Sequence, residues 1–419
     1  MKDHQSLGNH TTDPEAPQAQ QAKSRLLVLT STYPRWQNET EPGFVHELSR
    51  RLTDQFEVRV IGPHAPGALR RETMHSVEIR RYRYAPVRLQ TLVNDGGIVT
   101  NLKRQPWKWL LVPGFILGLL WTTWRQIQRW RPDVVHAHWL IPQGLVMALL
   151  SVLSSRTPPY VVTSHGADLF ALRAWPLPAL KRFVARRAAA LTVVSKAMTG
   201  ELERLGVPPE KISVQPMGVD LENRFTPDES VTRSNSELLF VGRLVEKKGV
   251  RYLLEALPEV IEAHPDAHLT IAGFGPEESA LRRQAESLGI DGRIHFLGAV
   301  QQEQLPDLYR RAALFVAPFV ATASGDQEGL GLVTVEAIGC GCPVIVSDLP
   351  VVDDVVADPS RHFRSGDISD LADKIIQLLD TSLSNRKSVD ENLRNRAIQR
   401  FNWSHVAADY AKTLNQASH

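Results

Sequence analysis

The chain has 419 residues, of which 43% are hydrophobic and 22% charged, and its formal net charge is +2 at pH 7. This composition excludes a chain that is disordered throughout, and the length predicts two to three domains, each large enough for its own core. The chain has two cysteines, Cys340 and Cys342, which excludes a disulfide framework and favours a reducing compartment.

The first segment of the chain, residues 1–23, is polar and rich in Gln, Ala, Thr and Pro. It lacks the apolar centre of a secretory signal, so we expect a disordered tail on a cytoplasmic protein. The longest apolar stretch, residues 109–121, is interrupted by Pro113 and Gly114 and is shorter than the roughly 20 residues that span a bilayer. We therefore expect no membrane-spanning helix.

Short aliphatic or β-branched runs alternate with helix-length segments along most of the chain. These runs lie at residues 26–30, 58–61, 134–136, 160–163 and 191–194, and again at 238–241, 269–272, 294–297, 314–317 and 344–346. Runs that are apolar on both faces and separated by helices are typical of buried parallel strands. The sequence therefore predicts two doubly wound parallel α/β sheets.

The two sets of strands predict two domains, at residues 24–215 and 237–395. Pro, Asn, Ser and Asp accumulate in residues 216–236, which predicts a linker. Residues 396–419 form a last helical segment. Ligands of open α/β sheets bind beyond the carboxyl ends of the strands, so two facing sheets would share one cleft.

A polar stretch from Ser164 to Asp168 directly follows one of the predicted strands. His165, followed by Gly166, would present an imidazole and free backbone groups at the cleft. A catalytic triad with Ser164 as nucleophile is disfavoured, because neighbours in sequence do not meet as a triad requires. The alternative is a polar turn that holds the start of a helix, with Asp168 as its cap.

His136 and His138 end the preceding predicted strand and point to the same face of it. Together with His165 they suggest a metal site, but no carboxylate or cysteine completes the ligand set, so we predict no metal. A structural or acceptor-facing role is favoured for both.

A glycine and two cations follow the first strand of the second set. Gly242 and Arg243 come directly after that strand, and Lys248 precedes the next helix. Arg offers a planar fork and Lys a point charge, which together suit a diphosphate. The alternative is a solvated basic loop.

Two glutamates, Glu328 and Glu336, flank a loop that leads into a helix. Gly329 and Gly331 would let backbone amides approach an anion at the helix start. Carboxylates accept hydrogen bonds from sugar hydroxyls. The alternative is an ordinary helix start with an acidic first turn.

Together these stretches resemble the family 4 glycosyltransferases, retaining enzymes of the GT-B fold with two facing Rossmann-like domains. Glu328 and Glu336 match the Glu-x7-Glu pattern of that family, and the stretches at residues 242–249, 164–166 and 216–220 match its phosphate-binding, histidine and domain-entry segments. The resemblance covers nearly the whole chain from residue 26. Two stretches differ: the Gly-Gly pair of many members corresponds to residues 41–44, where Gly43 is the single glycine, and the usual Pro-Gly-Asp near the end is Ser365-Gly366-Asp367.

The resemblance implies roles for individual residues. On the donor side, Arg243 and Lys248 would bind the diphosphate, Glu336 the ribose and Glu328 the transferred sugar. Gly329, Gly331 and the backbone of Leu332 and Val333 would contact the phosphates, and Val300 would lie near the base. The resemblance places His165 beside the donor sugar. On the acceptor side we expect Gly43, His138 and Asp168. It also implies that the last helix crosses back onto the first domain.

The function that these features predict is retaining, metal-independent transfer of a hexose from a nucleoside-diphosphate sugar to a glycan or lipid-linked acceptor. The sugar nucleotide is a co-substrate and no cofactor is expected. Such an enzyme would serve cell-surface polysaccharide or glycolipid synthesis. Two alternatives stay open: a catalytically silent nucleotide-binding module, and a dinucleotide-dependent oxidoreductase, for which the glycine fingerprint at residues 271–276 is incomplete.

Residues 68–131 are strongly basic and rich in tryptophan. They hold twelve Lys or Arg against three Asp or Glu, together with Trp107, Trp109, Trp121, Trp124 and Trp130. Five more cations, Arg173, Lys181, Arg182, Arg186 and Arg187, follow at residues 169–190. Aromatic anchors among cations suit an anionic membrane surface, here the inner face, while the alternative is a helix with a core stripe and solvated cations. The region contains no recognised nucleic-acid module, so no nucleic acid is expected.

Overall fold

The computed structural model describes residues 23–36, 39, 43–94, 97–170, 175–381 and 383–418, with the backbone alone for 383–388. The predicted tail up to residue 22, the positions Glu41 and Pro42 before Gly43, and the predicted surface cation Arg173 lie outside the described residues.

The first sheet has eight strands in the order β3-β4-β2-β1-β5-β6-β7-β8 among the described residues. They are β1 (Ser24–Leu29), β2 (Phe56–Pro63), β3 (Arg71–Met74), β4 (Val77–Tyr82), β5 (Val134–His138), β6 (Tyr160–Ser164), β7 (Ala190–Val193) and β8 (Ile212–Val214). All neighbouring pairs are parallel except β3 with β4, which is antiparallel at the sheet edge.

The second sheet is parallel throughout, with six strands in the order β11-β10-β9-β12-β13-β14 among the described residues. They are β9 (Glu237–Val241), β10 (His268–Ala272), β11 (Ile294–Gly298), β12 (Leu314–Ala317), β13 (Val344–Ser347) and β14 (His362–Phe363). The strand order reverses between β9 and β12, which makes their carboxyl ends the expected place for a ligand.

The helices fill the connections between strands. Those before the second sheet are α1 (Phe44–Leu52), α2 (Gly97–Arg104), α3 (Val112–Trp130), α4 (Leu145–Leu153), α5 (Ala167–Phe170), α6 (Leu177–Arg187) and α7 (Thr199–Arg204). Those that follow are α8 (Val250–Ala263), α9 (Glu278–Ser287), α10 (Leu305–Arg311), α11 (Leu332–Gly339), α12 (Ile368–Asp380), α13 (Leu383–Phe401) and α14 (Trp403–Ser418). No helix among these described segments is both long and apolar enough to cross a membrane.

Alternation along β9 shows why the second sheet needs helices on both faces. Leu238 and Phe240 pack into a core with side chains of α8, α9 and α12. Leu239 and Val241 point to the opposite face, where α10, α11 and α13 cover them and the core continues into the first domain. The predicted fold class, two α/β domains built on doubly wound parallel sheets, is confirmed, with the antiparallel strand β3 as its one departure among the described residues.

The last helix, α14, lies on the first domain rather than the second. It contacts α1, β5 and β6. The Tyr410 hydroxyl donates a hydrogen bond to the Gln215 carbonyl oxygen at 2.8 Å, and the Gln215 amide donates to Thr413 Oγ1 at 2.6 Å. These contacts tie the end of the chain to the point where the first sheet ends.

Candidate active site

Two adjacent cavities open between the domains, where the carboxyl ends of both sheets meet. The first has a volume of about 280 Å³ and is lined by Gly43, His165, Lys248, Glu328, Gly331, Leu332, Val333 and Glu336, among others. The second has a volume of about 630 Å³ and is lined by Asp168, Arg243, Lys247 and residues of α2, among others. Most of the predicted donor-side residues therefore line the first cavity.

A buried ion pair joins Lys248 to Glu328 in the first cavity. The Lys248 Nζ lies 2.8 Å from Glu328 Oε2 and 4.5 Å from the centre of the Phe319 ring. Burial by itself raises the pKa of Glu328, but the charges of Lys248 and Lys247 outweigh it and hold that pKa at about 2. Glu328 is thus ionised at every working pH, and Lys248 is held where it can also meet a phosphate.

Glu336 has a different environment, one helical turn into α11. The Tyr309 hydroxyl donates a hydrogen bond to Glu336 Oε2 at 2.9 Å. Burial raises the pKa of Glu336 to about 7, against the opposing effects of the Tyr309 hydroxyl and the Arg224 charge. Sequence reasoning missed both Tyr309 and Arg224, because neither stands in a recognisable motif and Arg224 falls in the predicted linker.

The start of α11 presents backbone amides to the first cavity. Gly331 precedes the helix with φ +81°, a conformation that favours glycine. The amides of Leu332 and Val333 stand in the first turn, where a helix supplies no acceptor of its own. An anion in this cavity would meet those N–H groups and the positive end of the helix dipole.

The two domains touch where the loop before α11 meets the turn after β6. A Cβ built on Gly329 would lie 2.4 Å from the His165 carbonyl oxygen. A Cβ on Gly166, whose φ is +104°, would lie 2.9 Å from Gly329 Cα. Both positions therefore need glycine for this close approach.

His165 lies at the boundary between the two cavities. Its ring packs 5.0 Å from that of Phe44, which lines the first cavity, and 4.9 Å from that of Trp139, which lines the second. Its Nε2 is 2.9 Å from His138 Nδ1. Burial lowers the pKa of His165 to about 3, so the ring is neutral.

Two family models together match most of the chain: "Glycosyltransferase Family 4" over residues 44–223 and "Glycosyl transferases group 1" over residues 226–399. The phosphatidyl-myo-inositol mannosyltransferase of Mycobacterium tuberculosis is 30% identical over 300 residues, which are 68% of this chain and 75% of that protein. The chain belongs to the family 4 glycosyltransferases.

Other similar proteins agree with this assignment. The glycogen synthase of Mycobacterium tuberculosis is 29% identical to the glycosyltransferase over 294 residues, 68% of each chain. The structure of sucrose-phosphate synthase from Thermosynechococcus elongatus superimposes with a TM-score of 0.77 at 19% identity, over 94% of this chain and 99% of the other. Anabaena HepE in complex with UDP-glucose gives a TM-score of 0.69 at 18% identity, over 94% and 99%. The fold is thereby shown to be GT-B.

In this glycosyltransferase Arg243 and Lys248 line different cavities, although we predicted that they clamp one diphosphate together. The Arg243 Nη2 lies 3.5 Å from Thr100 Oγ1 of α2, in the second cavity. The two cations are still close in the fold, because a Cβ on Gly242 would lie 3.8 Å from Lys248 Nζ. The sequence did not predict that α2 lines the second cavity.

The residues predicted on the acceptor side lie in different cavities. Gly43 lines the first cavity at the start of α1. Asp168 lines the second, but its buried carboxylate accepts hydrogen bonds from Ser164 Oγ at 2.8 Å and from the Leu140 amide at 2.7 Å, so it holds two turns together. The alternative made Asp168 the cap of a helix start, whereas the residue stands inside α5.

His138 differs from its predicted acceptor-facing role, because the side chain has no exposed surface and lies beneath His165. Among the described residues, no group of three or more His, Cys, Asp or Glu side chains could hold a metal ion. Val300 packs against the hydrophobic core, and Gln302 of the same segment lines the first cavity.

Proposed function

We propose that this glycosyltransferase moves a hexosyl group from a nucleoside-diphosphate sugar to a glycan or lipid-linked acceptor, with retention and without a metal ion. The observation that carries the proposal is the Lys248–Glu328 ion pair beside the first turn of α11, in the cavity that His165 also lines. A cation and helix amides suit a diphosphate, and an ionised carboxylate suits sugar hydroxyls.

The relatives support the donor class. The GDP-mannose-dependent mannosyltransferase of Corynebacterium glutamicum that acts on monoacylated phosphatidylinositol monomannoside is 33% identical over 209 residues, 47% of this chain and 51% of that protein. Several relatives are thus named for hexose transfer to a lipid. A glycan or glycolipid acceptor at the cell surface is the corresponding proposal for this chain.

The charges of the first cavity suit the departure of a nucleoside diphosphate. As the bond from sugar C1 to the phosphate oxygen breaks, its electron pair goes to the diphosphate, where Lys248 and the amides of Leu332 and Val333 stabilise the growing negative charge. The ionised Glu328 stabilises the positive charge that develops on the sugar ring. The acceptor hydroxyl oxygen then bonds to C1 from the face that the diphosphate leaves, and its proton passes to the departing diphosphate. Attack from that face retains the configuration at C1.

We expect one nucleoside diphosphate to stabilise the protein against heat. At a nucleotide concentration 100 times the Kd, binding to the folded state adds about 2.7 kcal/mol to the free energy of unfolding. A thermal-shift panel with UDP, GDP, ADP, TDP and NAD, each with and without EDTA, measures this and identifies the base. A shift that survives EDTA supports the proposal, whereas a shift with NAD alone supports the oxidoreductase alternative and contradicts it.

We further propose that the glycosyltransferase works as a peripheral protein on the inner face of a membrane. Large apolar side chains of the 3-10 helix Pro106–Leu111 and of α3 form a tryptophan face: Trp107, Trp109, Leu110, Leu117 and Trp121, each between 46% and 83% exposed. Leu117 and Trp121 lie on the side of α3 opposite its buried stripe. An apolar face of this size on a folded domain marks a contact surface.

The charges around the tryptophan face favour an anionic bilayer as its partner. Lys103, Arg104, Arg125, Arg129 and Arg131 are exposed, and no Asp or Glu occurs between residues 97 and 131. Lys103 and Arg104 also line the second cavity. A lipid-linked acceptor held at the bilayer would therefore have a short path into that cavity.

Part of the basic, tryptophan-rich flank is structural. Trp130 is buried, its Nε1 donates to Glu57 Oε1 at 3.2 Å, and the Arg59 guanidinium stacks 4.1 Å from its ring centre. Lys108 and Lys181 are also buried and donate to backbone carbonyl oxygens of Thr91 and Leu169. These side chains cannot serve as surface anchors.

The combined variant Trp109→Ala, Leu117→Ala and Trp121→Ala is expected to bind anionic vesicles at least tenfold more weakly than the wild type. Each large apolar side chain that leaves water contributes roughly 1.5–3 kcal/mol when fully buried, so partial insertion of three suffices. Flotation with phosphatidylglycerol vesicles at low salt measures this. Trp36→Ala, at an exposed tryptophan outside the face, is the control. Equal binding to neutral phosphatidylcholine vesicles, or self-association without vesicle binding, would contradict the proposal.

A further inference from the structure

Three imidazoles form a column that runs from the cavity boundary into the first domain. The ring centres of His138 and His165 are 5.2 Å apart with nearly parallel planes, and those of His136 and His138 are 4.2 Å apart. The column ends at a hydroxyl, because His136 Nε2 is 2.7 Å from Thr163 Oγ1. His136 and His138 have no exposed surface.

All three rings are neutral. Burial lowers the pKa of His136 and of His165 to about 3. Burial, with the neighbouring rings, lowers the pKa of His138 well below its usual range. A neutral imidazole carries one N–H, so only one ring can supply the proton between His138 Nδ1 and His165 Nε2, which are 2.9 Å apart.

The environment of His138 decides which of the two rings supplies the proton of this hydrogen bond. Its other nitrogen, Nε2, is buried and has no hydrogen-bond partner among the described residues. If His165 were the donor, His138 would carry its own proton on Nε2, and a buried N–H would be left unsatisfied. If His138 donates from Nδ1, its Nε2 carries no proton and is an acceptor without a donor. That state costs less free energy than a buried N–H without an acceptor, because orphaned buried N–H groups are rare.

We propose that His138 is a positioning residue that fixes His165 in the tautomer with its proton on Nδ1. Its Nδ1–H donates to His165 Nε2, so His165 can offer a bound sugar only a hydrogen-bond donor. His165 then cannot take the proton of the acceptor hydroxyl. The inference rests on the proposed function for its catalytic meaning, but the tautomer is a property of the protein itself.

The tautomer can be measured directly on the wild-type protein without substrates. ¹⁵N-edited NMR of the histidine side chains distinguishes a protonated from a bare ring nitrogen, and the variant His165→Gln identifies the His165 signals by their loss. We expect His165 with a protonated Nδ1 and a bare Nε2, unchanged from pH 5 to pH 8. A protonated Nε2 on His165 would overturn the inference, whatever the protein catalyses.

Two substitutions of His138 separate its N–H from its volume. His138→Asn keeps a side-chain N–H near the position of Nδ1, and His138→Phe keeps a ring of similar size without any N–H. We expect His138→Phe to lower kcat roughly tenfold, the loss of about one hydrogen bond, with the donor KM nearly unchanged. His138→Asn should retain kcat within about threefold, and the NMR of His138→Phe should show His165 with a mixed tautomer.

The matched control is His136→Phe, which changes a buried ring of the same column whose Nε2 lies 2.7 Å from Thr163 Oγ1. It should lower thermal stability about as much as His138→Phe and leave kcat and the His165 tautomer unchanged. Equal losses of kcat in both variants would indicate a packing role and contradict the inference. If the protein transfers no sugar at all, the proposed function fails, while the NMR result still decides the tautomer.

Discussion

Glu328→Gln is expected to lower kcat by at least 100-fold while the Kd for the nucleoside diphosphate changes by less than threefold. The carboxylate is ionised, because the charges of Lys248 and Lys247 hold its pKa at about 2. Glutamine keeps the shape but removes the negative charge that we propose for stabilising the sugar ring, a kind of loss that costs about 10²–10³ in rate. Steady-state kinetics and calorimetric titration with the nucleotide measure the two quantities.

Asp326→Asn is the control for the charge change. Asp326 lies two residues before Glu328, pairs with Lys247 at 3.3 Å, and lines the second cavity. We expect its kcat to stay within about threefold of the wild type. Near-normal turnover of Glu328→Gln would contradict the role proposed for Glu328, and unimpaired nucleotide binding with no turnover would exclude a collapsed site as the cause of the loss.

Most of the strands that the sequence predicted are buried on both faces, and the exception is the edge strand β11 with its exposed His295 and Leu297. Every position of β9 is buried, and its apolar run stands out against the flanking segments. The edge strand β3 and its neighbour β4 were missed because both carry charges, as in Arg71 and Glu78. Hydrophobic runs indicate a buried parallel strand, whereas an edge strand with a solvated face gives a weaker signal.

The sequence predicted several residues of the candidate site but not their pairings. A polar stretch after a buried strand predicts a place at the cleft, and His165, Lys248 and Glu328, from three such stretches, all line the first cavity. The ion pair of Lys248 with Glu328 joins residues far apart in sequence, and so does the contact of Gly166 with Gly329. Such contacts depend on how two sheets face each other, which no local pattern contains.

The two glutamates of the Glu-x7-Glu spacing show how neighbours, rather than sequence, set the charge. Both are buried, and burial raises the pKa of each. Two lysines reverse that effect at Glu328, while Glu336 has a tyrosine hydroxyl and a more weakly acting arginine, so its pKa stays at about 7. Nearby titratable groups with pKa values pushed apart in this way are suited to different roles.

Gly329→Ala is expected to lower kcat/KM on the order of 100-fold with a much smaller effect on the melting temperature. The added Cβ would lie 2.4 Å from the His165 carbonyl oxygen, a backbone atom that no rotamer change can move. Because this contact joins loops of two domains, a displacement of one domain against the other relieves the clash while both sheets keep their packing, at the expense of some contacts in the core that the domains share. Separation would move His165 away from Glu328, and a misplacement of about 1 Å can cost 10²-fold in rate.

Gly292→Ala is the matched control, since a Cβ at that position meets no atom within 4 Å. It should leave both kcat/KM and the melting temperature unchanged. Small-angle scattering should show a larger radius of gyration for Gly329→Ala than for Gly292→Ala, because only the first substitution forces the domains apart. Full activity of Gly329→Ala would mean that catalysis does not need the close approach of the turn after β6 to the loop before α11. The position of His165 at the boundary between the two cavities would then have no part in the proposed mechanism.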